Sequence, residues 1–354
     1  MRLAINTGGG DAPGLNAVIR AAVHSALNLG WEVYGIREGY DGLFEEGGVE
    51  PLTRASVRGI THLGGTILGT TNRGNPLDWP MEQPDGSVKR VDRSGEVVAR
   101  MEELGIDGLI AIGGDGSLAI ASELAKKGLK VIGVPKTIDN DLAATEVTFG
   151  FHTAVATATD AIDKLHSTAE AHRRVMVVEL MGRHAGWIAL FAGVSGTADV
   201  ILIPEIPYSL DLVCEKIEER YAPGRSAFAI VVVAEGAKPL GGDVVLQDRR
   251  RYGGIAEKLA AEIQMKTGRE TRSLVLGHLQ RGGAPSAYDR LLALRFGAAA
   301  IELAEEGKFG CMVALNPPDI LAVPLEEAIA KLKMVPLDGD VVRTARRLGT
   351  CFGD

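Results

Sequence analysis

The chain predicts an α/β fold with a doubly wound parallel sheet, and three observations carry that expectation. Short β-branched runs alternate with longer amphipathic stretches along the whole sequence. Those runs are apolar almost without interruption, as parallel strands buried on both faces must be. Glycine is in excess, 45 of 354 residues or about 13% against a usual ~7%, while aromatics are only 5%. Glycine lets tight strand-to-helix turns bring the backbone close to a ligand.

Taken in order, the first strand is expected over Arg2–Asn6, followed by a helix over Leu15–Leu29 and a strand over Glu32–Gly35. Apolar runs at Asp107–Ile112 and Lys130–Val134 read as strands on either side of a helix at Ser117–Lys127. Thr153–Ala171 has helical spacing, and the runs Val175–Leu180, Val200–Ile203 and Phe228–Ala234 read as strands. A helix over Ile255–Thr267 and a strand over Leu274–Gly277 complete the pattern. Gly236–Gly254 reads as a loop insertion whose triplet Arg249-Arg250-Arg251 forms a solvated tip. The sequence shows no repeat at solenoid spacing and no low-complexity linker.

Length and charge narrow the class. A chain of 354 residues is about two ordinary domains, with enough core to fold without disulfide or metal staples. Net charge is −8, from 38 basic and 46 acidic residues, which argues against a coat for nucleic acid or an anionic membrane. Cys214, Cys311 and Cys351 are odd in number and lack metal-ligand spacing, so they read as reduced thiols. Met1-Arg2 leads straight into a strand, without the pattern of a signal peptide. The longest apolar run, Ala227–Ala234, is far short of the ~20 residues of a membrane helix. A soluble, cytoplasmic protein is expected.

Ligands of doubly wound folds sit beyond the carboxyl ends of the strands, so the turns are the informative places. The first strand runs into Thr7-Gly8-Gly9-Gly10-Asp11-Ala12-Pro13-Gly14. No G-x-G-x-x-G frame fits there, which keeps phosphate binding but removes a nicotinamide reading. Gly113-Gly114-Asp115-Gly116-Ser117 joins a strand to a helix whose start offers unpaired N–H groups and a positive dipole end. Asp115 at its centre repels phosphate unless Mg²⁺ bridges the two; the plain alternative is a helix cap. Pro135-Lys136-Thr137-Ile138-Asp139-Asn140-Asp141 is the sharpest motif. One carboxylate there can accept an alcohol proton while the other orients metal or water, the division of labour that phosphoryl transfer to a hydroxyl requires. Met181-Gly182-Arg183-His184, Glu235 and Gly277-His278-Leu279-Gln280-Arg281-Gly282-Gly283 follow later strands. With Arg173, Arg174 and Arg272 they make a set suited to a phosphorylated sugar.

In this order, Gly9-Gly10-Asp11-Ala12-Pro13-Gly14-Leu15-Asn16, Gly113–Ser117, Pro135–Asp141, Met181-Gly182-Arg183 and Gly277–Gly283 resemble the 6-phosphofructokinases over nearly the whole chain. The likeness is greatest to the mixed-substrate branch, which carries Lys136 where common bacterial ATP-dependent enzymes have glycine. The resemblance implies phosphoryl transfer from ATP, with Mg²⁺, to the 1-hydroxyl of fructose 6-phosphate. By the same resemblance Asp139 matches the general base, Asp115 the metal-binding carboxylate, and Thr137, Ile138 and Asp141 their neighbours. Arg183 matches an arginine near the transferring phosphoryl. Met181, Gly182, Glu235, His278, Leu279, Gln280 and Arg281 match same-subunit sugar-phosphate positions, and Arg174 and Arg272 match arginines from a neighbouring subunit. Gly10, Gly114, Gly116 and Ser117 match nucleotide positions, and Arg73 does so with a one-residue shift from Asn72.

The family fold implies two Rossmann-like three-layer domains with interleaved segments. These are 1–150 plus 280–330 for nucleotide and Mg²⁺, and 151–279 plus 331–354 for the sugar phosphate, in a homo-oligomer, tetramer or dimer. Lipid and NAD kinases share Gly-Gly-Asp-Gly but lack the Thr-Ile-Asp-Asn-Asp turn, and a catalytically dead sensor would have lost Asp139 or Asp115. The remaining rival uses pyrophosphate. Gly116 favours ATP, since pyrophosphate users carry aspartate there, whereas Lys136 is shared with them.

Overall fold

The computed structural model describes residues 1–248 and 251–354. The tip expected at Arg249-Arg250-Arg251 therefore lies outside the described residues, except for the backbone of Arg251. Strands in the first half are β1 (Arg2–Thr7), β2 (Glu32–Ile36), β3 (Val49–Pro51), β4 (Trp79–Glu82), β5 (Val88–Val91), β6 (Gly108–Gly113) and β7 (Val131–Pro135). The second half adds β8 (Val175–Leu180), β9 (Val200–Leu202), β10 (Ala229–Ala234), β11 (Leu246–Asp248), β12 (Arg251–Tyr252), β13 (Thr271–Val275), β14 (Cys311–Asn316) and β15 (Asp319–Pro324). Helices are α1 (Leu15–Asn28), α2 (Ser94–Glu103), α3 (Asp115–Lys126), α4 (Phe151–His172) and α5 (Trp187–Ser195). They continue with α6 (Leu210–Arg220), α7 (Ile255–Thr267), α8 (Ala287–Glu305), α9 (Leu325–Ile329) and α10 (Asp340–Arg347).

The chain forms two compact units. The first comprises Met1–Thr137, Leu142–Gly150 and Arg281–Leu332; the second comprises Ile138–Asp141, Phe151–Gln280 and Lys333–Asp354. Unit one holds a seven-stranded sheet in the order β15-β14-β7-β6-β1-β2-β3, unit two a four-stranded sheet in the order β13-β8-β10-β9. Pairing is parallel at every step except the two edges of the larger sheet, where β3 and β15 run antiparallel to their neighbours. Every residue of β10 is fully buried, which accounts for its unbroken run of Ala, Ile and Val.

Three departures from the sequence expectation have physical causes. The last strand of the smaller sheet, β13, lies at Thr271–Val275 and not at Leu274–Gly277. As an edge strand it starts with polar Thr271-Arg272-Ser273, which an apolar count passes over. Strands β14 and β15 were not anticipated, because β15 is an edge with mostly exposed residues and a weak pattern. Within the supposed loop 236–254, β11 and β12 pair as a short antiparallel ladder.

Helix α8, far along the chain, closes against α1. A Cβ at Gly297 would stand 2.5 Å from the Val18 carbonyl oxygen, so only glycine permits that approach. Among the described residues no helix is long and apolar enough to cross a membrane.

Candidate active site

In unit one the ends of β1 and β6 meet over one side chain, Ser117. A Cβ at Gly113 would lie 2.2 Å from Ser117 Cβ, and one at Gly8 would lie 2.7 Å from Ser117 Oγ. The Gly8 N–H donates to Ile112 O at 3.0 Å, and the Gly9 N–H donates to Thr71 O at 3.1 Å. Gly9 is left-handed at φ 75°, a conformation glycine adopts without a steric cost. The glycines of both turns are therefore packing requirements as well as room for a ligand.

Two side chains tie this backbone down, and a third, Asn16, holds the neighbouring 63–67 segment. Lys136, only 3% exposed, donates from Nζ to Gly10 O. Arg281 Nη1 donates to Asp11 O at 3.0 Å, and its guanidinium lies 3.0 Å from where a Gly10 Cβ would be. Asn16 accepts from Ile67 N–H at 2.8 Å through Oδ1 and donates to the carbonyls of Leu63 and Gly64. Helix α3 begins at Asp115, with Gly114 as its N-cap and no side-chain capping bond, so Asp115 is not a helix cap. Asp115 and Gly116 are exposed and Ser117 is half-buried. Apart from its chain neighbours and the nearby backbone of α3, no atom lies within 4 Å of the Cβ position of Gly116. Arg73 is exposed in the loop after Thr71, whose Oγ1 accepts from the Arg73 N–H at 3.0 Å.

Thr137 ends the unit-one part of the polar turn, and its carbonyl accepts from Thr148 Oγ1 at 2.6 Å. Ile138–Asp141 belong to unit two. Ile138 is fully buried, Asp139 half-buried, and Asn140 and Asp141 are 4% and 8% exposed. Asn140 is left-handed at φ 52°, which turns the chain between the two carboxylates.

The rest of unit two gathers Met181, Glu235 and His278 around one open pocket. Glu179, Leu180, Tyr252, Gly253, Val275 and Gly277 complete its lining. Gly182 is at φ 143°, and its carbonyl accepts from the Gly236 N–H at 3.1 Å. Arg183 is exposed, with its guanidinium carbon 4.8 Å from the Tyr252 ring centroid. His278 and Leu279 are exposed, but Gln280 is fully buried. Its Oε1 accepts from Met181 N–H at 3.3 Å and its Nε2 donates to Gly277 O at 3.1 Å. Gln280 thus ties the loop at Met181 to the loop at Gly277.

Arg174 and Arg272 stand elsewhere. Both bond the Glu270 carboxylate, at 2.8 and 2.6 Å, and that contact, led by the Arg174 hydrogen bond, holds the Glu270 carboxyl below its usual range. They lie at the start of β8 and β13, Arg272 opposite Met176, whereas Met181 follows the other end of β8.

Sequence reasoning missed three residues of unit two. Glu179 is buried in β8 and accepts N–H bonds from Gly254 and Ala256 at the start of α7. A lone carboxylate inside Val-Met-Val-Val-Glu-Leu was a usable signal. Glu205 accepts from the Gly186 N–H at 3.1 Å and the Val335 N–H at 2.8 Å, and burial pushes its carboxyl above the usual range. Tyr252 closes the short strand β12 and carried no motif.

The phosphofructokinase family profile matches residues 2–304. An ATP-dependent 6-phosphofructokinase of Chloroflexus aggregans is 54% identical over 353 residues, covering 100% of this chain and 98% of that one. A pyrophosphate–fructose 6-phosphate 1-phosphotransferase of Amycolatopsis methanolica is 51% identical, over 95% of this chain and 96% of its own. Among solved structures, the T-state phosphofructokinase of Pichia pastoris superposes with a TM-score of 0.81 at 32% identity. That match covers 93% of this chain and 35% of the longer yeast chain.

Replacing Gln280 by alanine strands the Met181 amide and leaves a cavity, at a cost of ~2–3 kcal/mol. The variant is expected to melt several degrees lower. Amide exchange at Met181 should quicken, read by hydrogen–deuterium exchange. Unchanged exchange at Met181 would show that Gln280 does not hold the loop.

Proposed function

The chain belongs to the phosphofructokinase family, and from that premise we propose that it transfers the γ-phosphoryl group of ATP to the 1-hydroxyl of fructose 6-phosphate. The products are fructose 1,6-bisphosphate and ADP, and the step is one of glycolysis, run in the cytoplasm. The observation that carries this reading is full-length likeness to ATP-dependent 6-phosphofructokinases in a chain that has Thr-Ile-Asp-Asn-Asp at a strand end.

Asp139 takes the proton of the 1-hydroxyl as its oxygen bonds to the γ-phosphorus, while the bond from that phosphorus to the β–γ bridging oxygen breaks and ADP leaves. Thr137, Ile138 and Asp141 shape the turn around the base, and Arg183 offsets charge on the transferring group. Gly10, Arg73, Gly114, Gly116 and Ser117 face the nucleotide. Met181, Gly182, Glu235, His278 and Leu279 face the sugar phosphate, Gln280 holds their loops, and Arg281 adds a cation. The Asp115 carboxylate is a hard oxygen donor, exposed at the start of α3, with room for water and phosphate oxygens, which fits Mg²⁺. Held there by Asp115, Mg²⁺ would supply positive charge against the donor's phosphates. Asp139→Asn should fold normally and lose ~10²–10⁴-fold in kcat with little change in KM. Near-wild-type turnover in a coupled assay would sink this mechanism.

Several relatives named ATP-dependent are 46–54% identical, and one named for pyrophosphate is 51% identical. Two local features favour ATP. The open space at Gly116 leaves room for a longer phosphate chain. Lys136 is buried and bonds Gly10 O, so its ammonium braces the loop. An aspartate at position 116 meets no clash, and a charge ~4 Å from the α-phosphate costs ~4 kcal/mol at an effective dielectric of 20, about a thousandfold in affinity. Gly116→Asp is expected to keep its melting temperature and lose ATP use by that order. A wild-type kcat/KM higher with pyrophosphate than with ATP would overturn the donor.

Arg174 and Arg272 serve a neighbouring subunit in this reading. The six residues of β8 span about 20 Å, too far for Arg174 and Met181 to reach one substrate. Strand β13, an edge with Leu274 and Val275 exposed, suits contact with a second copy. Mixing inactive Arg174→Ala and Asp139→Asn subunits should therefore restore up to about a quarter of wild-type activity in a dimer, since half the dimers are hybrids with one intact site. No recovery after verified subunit exchange would refute sharing.

A further inference from the structure

Within unit two, the segment at Lys333 touches the polar turn and the loop after β8. Lys333 Nζ donates to Asn140 Oδ1 at 3.0 Å, and the Lys333 N–H donates to Asp141 O at 2.7 Å. On its other side the Trp187 indole N–H donates to Lys333 O at 2.7 Å, and the ring centroid lies 5.5 Å from Nζ. Two residues on, the Val335 N–H shares the Glu205 carboxylate with the Gly186 N–H. One short stretch of chain is thus bonded to Asn140 and Asp141, to the first residue of α5, and through Glu205 to the end of the Met181–Gly186 loop.

Asn140 explains why such a brace is required. It is buried at 4% exposure and left-handed, a conformation that asparagine tolerates better than most residues but that still costs free energy. Its buried amide oxygen must be bonded, and the ammonium of Lys333 bonds it. Without that bond the backbone between Asp139 and Asp141 can relax toward commoner conformations, taking both carboxylates with it.

We propose that Lys333 is a positioning residue of the phosphoryl transfer, fixing the Ile138–Asp141 turn through Asn140 and setting it relative to the loop that carries Arg183. This rests on the reading of Asp139 as general base. Misplacement of a reacting group by ~1 Å costs about 10²-fold in rate, and the loss falls on turnover, because Lys333 is assigned no contact with substrate.

The test is a kinetic double-mutant cycle on the full-length enzyme. Lys333→Met is expected to lower kcat ~30–100-fold with both KM values within about threefold, and Lys333→Arg to recover most of that loss. Asn140→Gly keeps the left-handed backbone but removes the acceptor, and should lower kcat similarly. Adding Lys333→Met to Asn140→Gly should then cost clearly less than the product of the two single losses, since the two share the Lys333–Asn140 bond. Multiplying losses would overturn the proposal, as would a Lys333→Met kcat within twofold of wild type. A kcat loss matched by a collapsed melting transition, without recovery in Lys333→Arg, would overturn it too. Asp139→Asn is measured alongside. If it is inactive while Lys333→Met is not, only the role of Lys333 fails; if it is active, the base assignment fails and Lys333 falls with it.

Discussion

Backbone at the ends of parallel strands leaves the sheet with donors and acceptors that no neighbouring strand can pair, and where that backbone is buried something else must bond it. Here long polar side chains do so. Lys136 bonds Gly10, Gln280 bonds Met181 and Gly277, Glu179 bonds Gly254 and Ala256, and Glu205 bonds Gly186 and Val335. Each is a polar group at a carboxyl end, spent on the main chain. The candidate ligand groups Asp115, Arg183 and His278 are exposed at the start of α3 and on loops held in this way.

This division of labour changes how the motifs are read. In Gly277–Gly283 the buried glutamine supports the exposed histidine beside it. In Pro135–Asp141 the lysine belongs to the support of the glycine loop in unit one, while the last four residues belong to unit two. A motif that looks continuous in sequence is therefore split by function, with its charges assigned to different tasks. Gly116 is the converse case, a position where the absence of a side chain is itself the chemical feature.

Much of the fold was legible because parallel strands are apolar throughout. Strand β10 stands out as a run of Val, Ile and Ala and β8 as a Val-rich run broken by one glutamate, and the turns that follow strand ends carry residue types with few structural uses. Two edge strands were not legible: β13 and β15 are exposed on most positions and lack both runs and clean alternation, unlike the buried edge β9. The site was legible where a motif packs several chemical groups into seven residues. It was not legible at Lys333, which is 193 positions from Asn140 and sits in a segment with no motif. Only folding brings it there. Glu179 lay between these cases, visible as a charge where a buried strand has no place for one.

The pairing of α1 with α8 has a consequence for the nascent chain. Helix α1 is made almost at once, but the glycine-notched face that covers it arrives near residue 297. At ~5–20 residues per second on the ribosome, that interval runs to tens of seconds. Neither unit is a continuous stretch of sequence, and unit one is complete only once Arg281–Leu332 has been made. Synthesis of this enzyme leaves an uncovered hydrophobic stripe near its amino terminus until most of the polypeptide has emerged. A general chaperone that shields such stripes co-translationally would have its longest task here at the very first helix.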